Sequence, residues 1–157
     1  IMLRGAAGGV SFFQPSEDNA DSPFYTKAYL LAHILVALGG RAAEEVIYGA
    51  NRVTTGASSD YDRVYQIARE MVTTYGFGKN KYDYRNLSPS AALKVDNEIE
   101  NIVSQCYRYA LKMLEDNKDA LEELKDLLIE EEIVDGEVVY DMLGQGRCNS
   151  FDCSVSF

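Results

Sequence analysis

Residues 39–60 read Gly-Gly-Arg-Ala-Ala-Glu-Glu-Val-Ile-Tyr-Gly-Ala-Asn-Arg-Val-Thr-Thr-Gly-Ala-Ser-Ser-Asp, and this stretch decides the fold. Apolar residues at helical spacing precede it and follow it, whereas its middle is short and rich in turn-forming residues. The stretch therefore predicts the end of one helix, a short turn and the start of a second helix. Two of its three carboxylates, Glu44 and Asp60, lie at positions where carboxylates are unusual.

Asp60 lies in the first turn of the second predicted helix. Ser58 or Ser59 is the predicted N-cap, because a short side-chain oxygen can accept from the first N–H groups of a helix. Counting back from the apolar stripe that follows places Asp60 on the inward face; that stripe is Val64, Ile67, Ala68, Met71, Val72 and Tyr75. An aspartate there either complements the helix dipole, which stabilises by up to about 1 kcal/mol, or binds a metal or a partner's donor group.

Glu44 lies near the end of the helix predicted over residues 26–48. That helix has one apolar stripe, made of Leu31, Ile34, Leu35, Leu38, Ala42 and Val46. Gly39 and Gly40 each cost about 1 kcal/mol relative to Ala inside a helix, so we expect another segment to pack closely against them. Glu44 itself is either a solvated residue paired with Arg41 or a carboxylate on that close-packed face.

The two motifs at residues 39–49 and 53–60 resemble the peptidase domain of the FtsH family. Its members are membrane-anchored AAA+ ATP-dependent zinc metalloproteases of bacteria, plastids and mitochondria. Residues 3–15 resemble the family's strand after the active-site helix, and residues 71–77 resemble its next helix end. The resemblance implies a mainly α domain over residues 1–143 that lacks the N-terminal active-site helix. We expect a short N-terminal β-strand, a C-terminal helical hairpin and an unassigned tail at residues 144–157.

The resemblance also implies a zinc site. The family binds zinc through two histidines of a His-Glu-x-x-His helix and a distant aspartate, which matches Asp60. Glu44 matches the residue that supports a zinc-bound histidine by hydrogen bonding. His33 is the single histidine of the chain, and it lies roughly 16 Å along the helix from Glu44. We therefore predict no catalytic residue in this chain, with Asp60 as the third zinc ligand and Glu44 as its support.

Two functions follow from the resemblance. The first is a non-catalytic, pseudoprotease-like subunit of an ATP-dependent protein-processing machine, active in protein translocation or quality control in a chloroplast. The absent histidine motif and a shortened segment at residues 76–90 favour it. The alternative is part of an active ATP-dependent zinc metalloendopeptidase whose His-Glu-x-x-His motif lies upstream of residue 1.

Both functions imply the same partners and setting. The family forms homo- or hetero-hexameric rings, binds ATP in a separate AAA+ domain and acts on unfolded or membrane proteins. The setting is a plastid membrane, either thylakoid or inner envelope, or a bacterial or mitochondrial inner membrane. No targeting signal and no apolar run of about 20 residues is visible, so we expect membrane attachment through preceding sequence.

Composition and charge limit the other function classes. With 157 residues, 46% of them hydrophobic, the chain can bury an ordinary core. The net charge is −10, carried almost entirely by residues 115–141, which we interpret as a solvated helix face or a surface for a basic subunit. Nucleic acid is a poor partner, because phosphate binding needs clustered Lys and Arg. The three cysteines, Cys106, Cys148 and Cys153, form no disulfide pattern.

The C-terminal part reads as three further helices. Pro89 is well placed in the first turn of a long helix that ends near Asp116. Asn117 is the predicted cap of a helix over residues 118–132, and a last short helix ends near Leu143.

Overall fold

A computed structural model of the chain describes residues 24–81 and 86–143. The α-helices of these residues are α1 (Lys27–Tyr48), α2 (Ser58–Thr73), α3 (Pro89–Asp116), α4 (Lys118–Glu131) and α5 (Gly136–Leu143). Two short 3-10 turns, Ala50–Arg52 and Thr55–Ala57, join α1 to α2. The prediction of a mainly helical domain is therefore confirmed. The predicted strand at residues 3–14 and the tail at residues 144–157 lie outside the described residues.

The chain divides into two compact units, with residues 25–115 in one and residues 116–143 in the other. The first unit contains α1, α2 and nearly all of α3, and the second contains α4 and α5. The predicted antiparallel hairpin in the C-terminal part stays a prediction.

Helix α1 begins and ends close to its predicted limits. The Oγ1 atom of Thr26 accepts from the N–H of Tyr29 at 3.2 Å and caps the first turn. Gly49 ends the helix with a φ of +82°, a conformation that other residues rarely adopt, and its N–H donates to the carbonyl of Glu45 at 2.8 Å. The predicted apolar stripe is buried apart from Val46, and Leu30 joins it, so the buried set is Leu30, Leu31, Ile34, Leu35, Leu38 and Ala42.

Helix α2 packs against α1 and begins differently from its prediction. The N-cap residue is Ala57, which has no capping side chain, so the prediction of Ser58 or Ser59 is wrong. Both serines already lie within the helix, and the N–H of Ser58 donates to the carbonyl of Thr55 in the 3-10 turn just before it. Gly76 lies just after the end of α2 with a φ of +67°, and the N–H of Phe77 donates back to the carbonyl of Met71 at 2.8 Å.

The first unit has an apolar core built from all three of its helices. Helix α2 contributes Val64, Ala68, Met71 and Val72, and α3 contributes Val95, Ile99, Ile102, Val103, Cys106 and Ala110. Burial raises the pKa of the Cys106 thiol to about 11, which makes it unreactive. Two tyrosines tie α3 to the other helices, because Tyr107 donates to Glu45 of α1 and Tyr65 of α2 donates to Glu100 at 3.2 Å.

The second unit is different in kind, since neither α4 nor α5 has a buried residue. Ile129 and Tyr140 are 74% and 70% exposed. Asn117 precedes α4 as predicted, but its side chain makes no capping hydrogen bond to the helix. Four leucines of α4 are only partly covered: Leu121, Leu124, Leu127 and Leu128.

Candidate functional site

The corner between α1 and α2 is held by Glu44. One oxygen of its carboxylate accepts from the backbone N–H of Thr54 at 2.7 Å, and the other accepts from the Thr54 hydroxyl at 2.9 Å. The same hydroxyl oxygen accepts from the N–H of Gly56 at 3.2 Å. A carboxylate near the end of α1 therefore binds both donors of one threonine, and that threonine in turn holds the 3-10 turn that leads into α2.

These hydrogen bonds lower the pKa of Glu44. The backbone N–H of Thr54 has the largest effect, its hydroxyl is next, and the charge of Arg41 adds a smaller contribution in the same direction. Arg41 makes its own contact elsewhere, with its guanidinium 5.3 Å from the centre of the Tyr61 ring. The predicted Glu44–Arg41 pair is thus a longer-range electrostatic effect, and Thr54 is the direct partner of Glu44.

Asp60 lies in the first turn of α2, as predicted, but its orientation is not the predicted one. The residue is exposed, so the inward-facing prediction is wrong. The counting rule assumed that the apolar stripe continues to the first turn, whereas the nearest fully buried residue of α2 is Val64. Asp60 makes no hydrogen bond or ion pair with the described residues. Its carboxylate is therefore placed to complement the helix dipole and is available to an outside ligand.

His33 lies apart from this corner, on the N-terminal half of α1. Its ring centre is 4.4 Å from that of Tyr29, and Tyr29 stacks on Tyr25 at 5.2 Å. Burial lowers the pKa of His33, and the charge of Arg63 lowers it further. His33 is thus packed in an aromatic row with Tyr29 and Tyr25.

Gly39 and Gly40 do not make the close contact that was expected. A Cβ atom added at either position would have no heavy atom of the described residues within 4 Å. The glycines therefore leave an open strip on α1, and nothing in residues 24–81 and 86–143 fills it.

The described residues can supply part of a zinc site. Catalytic zinc takes three protein ligands, and no three His, Cys, Asp or Glu side chains of the described ranges come together as such a group. Asp60 can supply one oxygen ligand because its carboxylate has no partner in that part of the chain. Glu44 can support a ligand, because a carboxylate offers about four acceptor positions and Thr54 takes two of them.

Two residues of this corner were missed by the sequence reasoning, Thr54 and Tyr61. The Thr-Thr-Gly order at residues 54–56 was a signal for Thr54, since a threonine two residues before a turn glycine often accepts from its N–H. Tyr61 carried no local signal, because its contact with Arg41 joins two helices.

A second carboxylate holds the segment after α2. Glu98 of α3 accepts from the N–H of Lys79 at 2.9 Å and from the side-chain amide of Asn80 at 2.7 Å. A small cleft beside it is lined by Phe77, Gly78, Lys79, Glu98, Asn101 and Ile102. Residues 82–85, which belong to the segment at residues 76–90 that was expected to be shortened, lie outside the described residues.

Comparison with known proteins decides the family. The family model of peptidase family M41 matches residues 1–142. The chain belongs to this family. Its relatives include the ATP-dependent zinc metalloprotease FtsH 3 of Synechocystis, which is 38% identical over 94% of this chain and 27% of its own length. The chloroplastic FTSH 1 of rice is 37% identical over 96% of the chain and 25% of its own length. The FtsH-family peptidase domain identified from the two motifs is therefore confirmed.

The M41 chain spans about a quarter of the length of these relatives. An FtsH of Synechococcus is similar in the same way, at 37% identity over 87% of the chain and 24% of its own length. These three relatives are cyanobacterial or chloroplastic proteins. Within the described residues of the chain, no helix combines the length and apolar character needed to cross a membrane.

Proposed function

We propose that this chain is the C-terminal part of the peptidase domain of an ATP-dependent protein-processing machine, in which Asp60 serves as one zinc ligand. The observation that carries the proposal is the α1–α2 corner, where Asp60 is exposed and has no partner among the described residues while Glu44 is fixed by Thr54. The relatives, named as ATP-dependent zinc metalloproteases, support the assignment.

When bound, zinc would act as a Lewis acid on a peptide carbonyl. Asp60 would hold the ion from the first turn of α2, and two further ligands would come from outside the described residues. Glu44 would accept a hydrogen bond from the ring N–H of a zinc-bound histidine, which fixes the orientation of the imidazole. Use of ATP, a hexameric ring, membrane attachment and unfolded or membrane protein substrates belong to the same proposal.

A second candidate is a non-catalytic subunit that keeps the fold and the ring contacts. The single histidine, His33, favours it, because the ring is packed on Tyr29 and away from the corner. In this candidate the chain supports a partner subunit or an attached ATPase in translocation or quality control, and no zinc is held.

Zinc content separates the two candidates. We would measure zinc per chain in the full-length protein as wild type, as Asp60→Ala and as Asp62→Ala, which removes another exposed carboxylate of the same helix. The zinc-site proposal requires bound zinc in the wild type and in the Asp62 variant, with most of it lost in the Asp60 variant. Equal zinc in all three proteins would remove Asp60 from the site, and no zinc in the wild type would establish the non-catalytic candidate.

A further inference from the structure

We propose that Thr54 is a positioning residue that sets the placement of both predicted site carboxylates, an inference that rests on the proposed function. Thr54 is the direct partner of Glu44 and lies in the segment that leads to Asp60. It has no contact with substrate or metal in this proposal. Its effect is transmitted through the two carboxylates.

Thr54 fixes both oxygens of the Glu44 carboxylate. The two oxygens of the Glu44 carboxylate each accept from a different atom of Thr54, at 2.7 and 2.9 Å. A carboxylate held at both oxygens cannot rotate about its last bond without breaking a hydrogen bond to an ionised group, and such bonds are stronger than those between neutral groups. The acceptor positions that remain therefore point in a fixed direction.

Thr54 also affects the placement of Asp60, through the turn that precedes α2. The Thr54 hydroxyl donates to Glu44 and accepts from Gly56, so it links the end of α1 to the 3-10 turn Thr55–Ala57. Helix α2 follows this turn directly, with Asp60 as its third residue. Because α2 has no capping side chain of its own, the position of its first turn depends on the turn before it.

A second contact at the same corner supports the assignment. Arg41, one turn before Glu44, lies over the ring of Tyr61, which is the neighbour of Asp60. Each predicted site residue is thus next to, or part of, a contact that joins α1 to α2. Thr54 differs from Tyr61 because one hydroxyl serves as donor on one side and acceptor on the other.

The test compares three threonine variants. Thr54→Val keeps the shape of the side chain and the backbone N–H but loses the hydroxyl, and Thr54→Ser restores the hydroxyl. The matched control is Thr73→Val, since the Thr73 hydroxyl donates to the carbonyl of Arg69 at 2.7 Å at the far end of α2. In each variant, zinc affinity of the full-length protein and thermal unfolding would be measured, with the pKa of Glu44 followed by NMR.

We expect Thr54→Val to weaken zinc binding by about 10-fold, the low end of the roughly 10- to 100-fold range for groups that orient metal ligands. Its Glu44 pKa should rise, since a hydroxyl donor to the ionised form is lost. Thr54→Ser should match the wild type in both measurements, and Thr73→Val should change neither zinc affinity nor the Glu44 pKa.

Two outcomes would overturn the inference. One is wild-type zinc affinity in Thr54→Val while Asp60→Ala loses zinc, which leaves the proposed function intact. The other is an equal loss of zinc affinity in Thr54→Val and Thr73→Val, which would mean a general effect of helix stability. Wild-type zinc content in Asp60→Ala would instead remove the proposed function. If Thr54→Val does not fold, Thr54→Ala is compared with Thr73→Ala, since both remove the same hydroxyl with a smaller side chain. Weaker zinc affinity in Thr54→Ala alone supports the inference, and equal affinities in the two variants contradict it.

Discussion

The core of α1, α2 and α3 and the acidic segment at residues 116–143 use the same helical periodicity with opposite results. In the first, most residues of the apolar stripes are buried, and several carboxylates accept hydrogen bonds from specific donors. In the second, no helix has a buried residue, and the two ion pairs, Lys118–Glu122 at 4.0 Å and Lys125–Asp126 at 2.9 Å, are solvent-exposed. The comparison teaches that an apolar stripe specifies a helix face, whereas only a partner surface turns that face into a core.

The largest effect should come from equal truncations in the two regions. Leu38→Ala removes a side chain that is 0% exposed and should lower the free energy of unfolding by roughly 2–5 kcal/mol. Leu127→Ala in α4 removes a partly exposed side chain and should cost clearly less, because its site is already in contact with water. Chemical denaturation of both variants checks this. Equal losses would show that α4 is covered as completely as the core.

A second pair of variants compares tyrosine hydroxyls. Tyr107→Phe removes the donor to Glu45, so we expect a loss of about 1–2 kcal/mol, because a hydrogen bond to a charged group is lost. Tyr140→Phe, at a side chain that is 70% exposed, should be within about 0.5 kcal/mol of the wild type. The measurement is denaturant unfolding at pH 7. A larger loss of stability in Tyr140→Phe than in Tyr107→Phe would contradict this ranking of the two regions.

The same tyrosine predicts a dependence on high pH. Burial, and then the hydrogen bond to Glu45, raise the pKa of Tyr107 from 10.0 to about 12. Because the folded pKa is the higher one, the stabilisation is fully present below pH 10 and is lost as the pH rises toward 12. At pH 9 the wild type should therefore be more stable than Tyr107→Phe. At pH 11.5 the unfolding curves of the two proteins should converge. A difference that stays constant with pH would contradict the assignment.

Acid should act on the α1–α2 corner through Glu44. The pKa of Glu44 is lowered by Thr54 below the usual 4.5, so its stabilisation is present above pH 4.5 and is lost as the pH falls through the lowered value. Glu44→Gln should thus be less stable than the wild type at pH 7, and the difference should shrink below pH 4. Leu127→Ala in α4, which changes no titratable group, is the control, and its stability difference from the wild type should not shrink below pH 4. Identical profiles for the two variants would show that Thr54 gives Glu44 no special role.

The smallest effect should come from an ion pair of the acidic segment. Glu122→Gln breaks the exposed pair with Lys118 and also reduces the negative charge of the segment, so the two changes oppose each other. We expect a change of no more than about 0.5 kcal/mol in either direction. Amide hydrogen exchange of α4 at low and high salt checks it. Strong loss of protection would mean that the pair holds α4 in place.

Most of the helical fold and the family could be predicted from the sequence, because both depend on the order of residues along short stretches of the chain. The limits of α1 and α3 were predicted to within about a residue, from the apolar spacing and from the position of Pro89 in a first turn. The sequence placed Asp60 in the first turn of α2 but on the wrong face. A stripe counted along one helix does not show where the neighbouring helix ends, so the first turn can lie beyond the covered surface.

What the sequence determined by itself is therefore the set of helices, the corner motif and the two candidate site carboxylates, Glu44 and Asp60. The tertiary structure decided that Glu44 receives two donors from Thr54 and that Asp60 is exposed. Thr54 binds Glu44 because the chain reverses direction between α1 and α2 and brings residues ten positions apart into contact. Helical spacing relates only residues within one helix, and a bond across a turn depends on how two helices meet.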